Sequence, residues 1–334
     1  MISRFFALDG LRQAFPEFAD FRIIAENDKG AVFDVLSHNR GFRVALKLTA
    51  DRSDSGVRDR FEREFQILFS NQQYERLVRI YGDRGCRFVQ MANGDRINHY
   101  FFTMKLCHSD MGKALQARSL DLCSRVLAVL QMIDGIAFLH AKEIVHRDIK
   151  PSNLFIEQVP PEQAECPPHP ISVKLGDFDI AKARRGLHQL ASQTRTYHLM
   201  GTLYYLAPER WQDAPADTDW RPSDQYAAGV TAFQILSNGQ FPLNFQGADN
   251  YNLDSYQKIH AAGAKLPLVI PERSHKSTPE RFLRLERVLY RMLEVAPESR
   301  YPNIIKAKLA LLDALASSGF WPCRHANTLA SPNG

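Results

Sequence analysis

HRDIKPSN, residues 146–153, places an imidazole, a guanidinium, a carboxylate, an ammonium and a carboxamide within eight positions. Upstream lies SLDLCSRVLAVLQMIDGIAFLHAK (119–142), whose apolar residues recur at helical spacing behind a capping Ser119. Downstream, LFI (154–156) reads as a short strand. Taken alone, the run is a polar turn between a helix and a strand. What surrounds it decides whether it is more.

N-terminal to it, the first hundred residues read mainly as strands with one helix. FRIIA (21–25), GAVFDVL (30–36) and FRVALKL (42–48) are β-rich runs broken by the turn residues NDKG and SHNRG. DRSDSGVRDRFEREFQILFS (51–70) sets Phe61, Phe65, Leu68 and Phe69 at helical spacing behind an Asp/Ser-rich start. LVRIYG (77–82), CRFVQM (86–91) and HYFFTMKL (99–106) read as further strands. Beyond residue 107 helical patterns dominate, at 119–142, 222–237, 279–294 and 303–316. EQVPPEQAECPPHP (157–170) holds five of the 18 prolines and is expected to be a loop without regular structure.

Composition narrows the class. Apolar residues make up 45% and charged ones 24%, which excludes disordered and fibrous chains. A net charge of +5 over 334 residues is too mild to point to nucleic acid. Cysteines at 86, 107, 123, 166 and 323 are odd in number and form no CxxC pair, so a disulfide framework or zinc site is not expected. MISRFFALDGLRQ is interrupted by Asp9 before it could form a signal-peptide core. Val126–Leu139 carries Gln131 and Asp134 and falls short of the roughly 20 apolar residues of a membrane span. A cytoplasmic protein, with no membrane or nucleic-acid partner, is the expectation.

HRDIKPSN resembles the catalytic loop of the eukaryotic-type (Hanks-type) serine/threonine protein kinases, H-R-D-x-K-x-x-N, and the chain is closest in character to soluble bacterial members. The resemblance implies an α+β, bilobal fold, with a small β-rich N-lobe carrying one key helix and a larger helical C-lobe. It spans about residues 21–316, divided into the N-lobe (21–106) and the C-lobe (107–316), with an N-terminal extension (1–20) before it and a tail (317–334) after it. It further implies that Asp148 is the catalytic base, that Lys150 touches the γ-phosphate and that Asn153 binds Mg²⁺.

The other motifs fall in the family's order. VALK (44–47) offers Lys47 to the α- and β-phosphates, with Glu64 in REFQIL as its ion-pair partner rather than Glu62. LGDFDIA (175–181) resembles the metal-binding Asp-Phe-Gly segment, with Asp177 as the Mg²⁺ ligand and Phe178 as the packing ring. Asp179 stands where the family has glycine. The glycine-rich loop aligns with AENDKG (25–30), where only Gly30 survives and Glu26 and Asp28 add negative charge, so weaker ATP binding is expected. GTLYYLAPE (201–209) resembles the end of the activation segment (177–209). Thr202 there, with Lys150, marks Ser/Thr specificity, and Glu209 pairs with Arg300. Asp224 resembles the aspartate that anchors the catalytic loop.

Arg147 is of the kind that pairs with a phosphorylated activation loop, where Thr194 and Thr196 are the expected autophosphorylation sites, ahead of Ser192 and Tyr197. For the adenine the resemblance implies Val32 and Ala45 as roof and Phe155 as floor. It implies a hinge from Met104 to Leu106 guarded by Thr103, and Asp110 for the ribose hydroxyls. The function implied is ATP- and Mg²⁺-dependent (or Mn²⁺-dependent) phosphoryl transfer to protein Ser/Thr in signalling, with transient self-association for autophosphorylation in trans. A pseudokinase scaffold is the alternative, motivated by the loop at 25–30 and by Asp179.

Overall fold

The computed structural model describes residues 3–27, 30–51, 56–164, 169–178, 203–211, 215, 218–244, 259, 265–271 and 282–319. Asp28, Asp179, Ser192, Thr194, Thr196, Tyr197 and Thr202 lie outside the described residues. The chain divides into two compact units, Met1–His108 and Ser109–Gly334.

The first unit is built on a five-stranded antiparallel sheet in the order β1-β2-β3-β5-β4. Its strands are β1 (Phe18–Asn27), β2 (Gly30–Ser37), β3 (Arg43–Ala50), β4 (Ile80–Gln90) and β5 (Arg96–Lys105). The alternation buried in β2 (Ala31, Phe33, Val35) and in β3 (Val44, Leu46, Leu48) puts those side chains on one face. On the other face lies α2 (Val57–Ser70), which buries Phe61, Glu64, Phe65 and Leu68 at helical spacing. Phe61 and Phe65 meet Phe102 of β5 at ring distances of 5.5 and 6.1 Å. A carboxylate on that stripe is an exception that packing alone does not explain.

Two differences from the sequence reading have local causes. The expected strands 77–82 and 86–91 are one strand, because GDRG forms an irregularity between Ile80 and Arg84, with Gly82 at φ 86°, instead of a turn. Residues 3–18, read as an extension, contain α1 (Leu8–Ala14) and bury Phe6, Leu11, Phe15 and Phe18 against the β2/β3 face. Gly10 permits this, since a Cβ there would sit 2.6 Å from the Gln90 carbonyl oxygen.

Gly30 is dictated by the same kind of contact. A Cβ would lie 2.0 Å from the Leu48 carbonyl oxygen, a backbone atom that no rotamer can move. Gly30→Ala is therefore expected to cost about 3 kcal/mol, the upper end for overpacking. A urea midpoint unchanged from wild type would contradict this.

The second unit is mainly helical. A small sheet orders β6 (Ser109–Asp110), β7 (Leu154–Gln158) and β8 (Ile171–Leu175) beside α3 (Met111–Gln116) and α4 (Leu122–Ala141). Then follow α5 (Arg221–Ser237), α6 (Leu283–Met292) and α7 (Ile304–Ser317). α4 packs on α5, β8 and α7. It is long and apolar enough to cross a bilayer, but 72% of its apolar window is buried in the protein's own packing.

The cap of α4 is Asp121, whose Oδ1 accepts from the Ser124 amide at 2.8 Å. Ser119, expected there, instead donates its amide and hydroxyl to the Ala114 carbonyl at the end of α3. The proline-rich stretch is also more regular than expected. Glu157 and Gln158 belong to β7, Pro161–Gln163 forms a 3₁₀ turn, and the Val159 amide bonds Pro170 across the loop.

Candidate active site

In the first unit the machinery is an ion pair on a sheet face. Cross-strand pairing sets Val32 opposite Lys47, Ala45 opposite Met104 and Lys47 opposite Phe102, so these side chains share the α2 face. Lys47 Nζ donates to both Glu64 oxygens, at 2.7 and 2.8 Å, and lies 5.7 Å from the Phe102 ring centre. Both partners are largely buried, which makes the pair stronger than a surface bridge and holds the ammonium in one place. Glu62 points elsewhere and bonds Arg84 at 2.7 Å.

Thr103 does not stand with them. Strand alternation pairs it with Leu46 on the opposite face, where its hydroxyl donates to Asp83 Oδ2 at 2.7 Å. The side chain opposite Ala45 is that of Met104, so the guarding role expected of Thr103 does not fit its orientation. Leu106 lies just beyond β5 and is half-buried. In the turn at 25–30, Asn27 pairs with Gly30, and Asn27 Oδ1 accepts from the Gly30 amide at 3.1 Å.

In the second unit the loop 146–153 is held from below and converges on Asp148. Asp224, near the start of α5 and 1% exposed, accepts from the His146 amide at 2.7 Å, the Arg147 amide at 2.8 Å and His140 Nε2 at 3.0 Å. Burial acts to raise its carboxyl, but the His140 hydrogen bond, neighbouring imidazoles and the Arg147 amide outweigh it and leave the group below its ordinary value. Held in this way, Arg147 takes a left-handed backbone, φ 70°.

Lys150 Nζ meets Asp148 Oδ2 at 2.7 Å, and Asn153 Nδ2 donates to the Asp148 carbonyl at 2.8 Å and to Oδ2 at 2.9 Å. Because its nitrogen is spent on Asp148, Asn153 keeps its carbonyl oxygen for another partner. The Gly176 amide bonds the backbone carbonyl of Asn153 at 3.3 Å, leaving the side-chain Oδ1 aside and tying the loop to the segment that carries Asp177. Asp177 is exposed with φ 60°, and Phe178 is buried against His146, ring centres 4.5 Å apart.

Asp110 caps α3, accepting from the Lys113 amide at 2.9 Å, and meets Lys113 Nζ at 3.2 Å. Phe155 pairs with Asp110 across β6 and β7 and is half-buried. Glu209 forms a two-pronged bridge to Arg300, both contacts 2.7 Å. His140, absent from the sequence reading, is the third donor to Asp224. Its partner lies 84 positions away, so no local pattern signals it.

Burial drives the His146 imidazole below its ordinary value of 6.5, with Asp224, Asp148 and Asp177 partly opposing. The folded protein therefore keeps this ring neutral where the unfolded chain takes up a proton. Stability from His146 is complete above about pH 6.5 and is lost as the pH falls below it, so the urea midpoint is expected to drop between pH 7 and 5.5. Asp224 adds a loss only in the lower window, beneath 3.8. His146→Gln should flatten the upper window; an unchanged slope would contradict this assignment.

The protein kinase domain model matches residues 18–308, and this chain belongs to that family. The serine/threonine-protein kinase pkn2 of Myxococcus xanthus is 29% identical over 309 residues, covering 89% of this chain and 32% of the relative. Pkn1 of the same organism is 35% identical over 192 residues, covering 57% of this chain and 24% of its own length. The chain thus spans a third or less of these curated relatives. The crystal structure of Rad53 1–466 in complex with AMP-PNP matches with a TM-score of 0.59 at 20% identity, covering 89% of this chain and 66% of that one. That likeness shows the protein-kinase fold.

Proposed function

We propose that the chain transfers the γ-phosphoryl group of ATP to serine or threonine hydroxyls of proteins. The observation that carries this is the convergence of Lys150 and Asn153 on Asp148, within a loop whose backbone amides are pinned by Asp224. Asp148 orients the attacking hydroxyl and accepts its proton. Lys150 offsets charge on the transferring group, and Lys47, steadied by Glu64, binds the α- and β-phosphates.

Asn153 and Asp177 present one carboxamide and one carboxylate oxygen, a hard-donor pair suited to a cation that completes its shell with water and phosphate. Mg²⁺, or Mn²⁺ in its place, would be held there and would offset the phosphate charge. Val32, Ala45, Met104, Leu106 and Phe155 would contribute apolar surface for the adenine, and Asp110 a carboxylate for the ribose hydroxyls. Lys150 with Thr202 supports Ser/Thr selection, and Arg147 would receive a phosphate on Thr194 or Thr196. Among the described residues Cys86, Cys107 and Cys123 form no disulfide, which suits the reducing cytoplasm, where ATP is available to a signalling enzyme.

The scaffold alternative draws on the glycine-poor turn and Asp179, but the intact clusters around Lys47 and Asp148 support transfer. Phosphoamino-acid analysis of protein substrates labelled from γ-labelled ATP tests the reading. Phosphoserine or phosphothreonine is expected, and phosphotyrosine alone would overturn the specificity. Intact mass after incubation with Mg²⁺-ATP, beside Asp148→Asn, tests autophosphorylation and its mapping to Thr194 or Thr196.

A further inference from the structure

The turn at 25–30 retains one of the family's three glycines and carries Glu26, whose charge should repel a triphosphate. Both oxygens of that carboxylate are already engaged. Ser3 Oγ donates to Glu26 Oε2 at 2.6 Å, and the Arg4 amide donates to Oε1 at 2.9 Å. The Ser3 hydroxyl is itself fixed, because its oxygen accepts from the Phe5 and Phe6 amides at 3.1 and 2.8 Å.

The segment that carries Ser3 is anchored along its length. Phe6 bridges to Met91, and the Ala92 and Ala7 amides bond the Phe5 and Gln90 carbonyls at 2.8 and 3.3 Å. Phe6, Leu11 and Phe15 are 1%, 1% and 0% exposed. Arg87 Nη1 donates to the Ala14 carbonyl at 2.6 Å and to Glu17 at 2.9 Å. β1 and β4 are the two edges of the five-stranded sheet, so residues 3–17 tie one edge to the other.

We infer that this segment is a strap that positions the nucleotide turn, with Ser3 and Glu26 as positioning residues for ATP binding; the inference rests on the kinase reading above. Two effects follow from the contacts. The Glu26 charge is drawn onto strap donors instead of toward phosphate. The end of β1 is also held before the nucleotide arrives, so less ordering remains to be done on binding. A turn short of glycine cannot mould itself around phosphates, and a pre-set position is the remaining route to affinity.

Deleting the strap would remove Phe6, Leu11 and Phe15 and uncover the sheet face of Phe33, Val35 and Phe101 that they pack against, unfolding the unit, so the test uses side-chain variants of the full chain. Calorimetric titration of ATP with Mg²⁺ into Ser3→Ala should give a Kd raised about three- to tenfold, within what one hydrogen bond to a charged group allows. The thermal midpoint should move by no more than about 2 °C, because the apolar anchors remain. Ser3→Thr, which keeps the hydroxyl, should restore the affinity. In a Glu26→Ala background Ser3→Ala should have no further effect, since the two act as one unit. An unchanged Kd in Ser3→Ala, or an equal loss with and without Glu26, would overturn the inference alone. Absence of ATP binding by the wild type would overturn the kinase reading and the strap's role with it.

Discussion

Asp148→Asn is expected to lower kcat by about 10³, within the range a positioned general base supplies. The carboxamide is nearly isosteric, so the loop should keep its shape. Asp224 still pins the amides of His146 and Arg147, and Asn153 still reaches the backbone carbonyl of residue 148. What is lost is the capacity to take a proton and the charge that attracts Lys150, now 2.7 Å from Oδ2. ATP affinity should stay within about twofold, because on the proposed reading Asp148 acts on the hydroxyl and not on the nucleotide. Steady-state kinetics and a separate ATP titration check both parts. A fall in affinity matching the fall in kcat would mean that Asp148 serves the fold of the site instead of the proton transfer.

The second large effect concerns stability. Arg300 is 1% exposed and meets both Glu209 oxygens, the carbonyls of Pro222, Val295 and Glu294, and the Tyr226 ring at 5.0 Å. Arg300→Ala removes these partners together and leaves a cavity beside a carboxylate without its counter-charge. Breaking a buried pair costs about 3–5 kcal/mol. The lower end applies, because the Glu209 side chain keeps 21% of its exposure and can recruit water. A fall in thermal midpoint on the order of 10 °C follows for a unit of this size. Arg300→Lys should recover only a small part, since one ammonium nitrogen cannot replace the planar guanidinium that serves Glu209 and the carbonyls of Pro222, Val295 and Glu294 at once. A midpoint within 2 °C of wild type would show the bridge to be incidental.

These residues differ in how far local sequence could reveal them. Asp148, Lys150 and Asn153 lie within six positions, so their spacing carried the geometry. Glu64 was separable from Glu62 because Phe61, Phe65 and Leu68 define the buried stripe, and only Glu64 falls on it. Thr103 was misjudged because the face of a residue in β5 depends on its register with β3, which no window of sequence contains. His140 and Asp224 meet across 84 positions.

The strap escaped for a different reason. α1 has seven residues and no side-chain cap, too short for periodicity to register. Its aromatic residues gain their meaning only from the sheet they cover. Ser3 and Glu26 are unremarkable singly, and nothing short of the fold brings a residue near the start of the chain to the end of β1.

The central claim is that the clusters around Lys47 and Asp148 still catalyse transfer despite the glycine-poor turn and Asp179. It is tested most directly by measuring, on one preparation, ATP binding and Mg²⁺-dependent phosphoryl transfer to a mixed library of Ser/Thr peptides. Saturable binding accompanied by transfer is the expected result. Saturable binding with no transfer to any peptide, and none to the protein itself, would contradict it and leave a nucleotide-binding scaffold in its place.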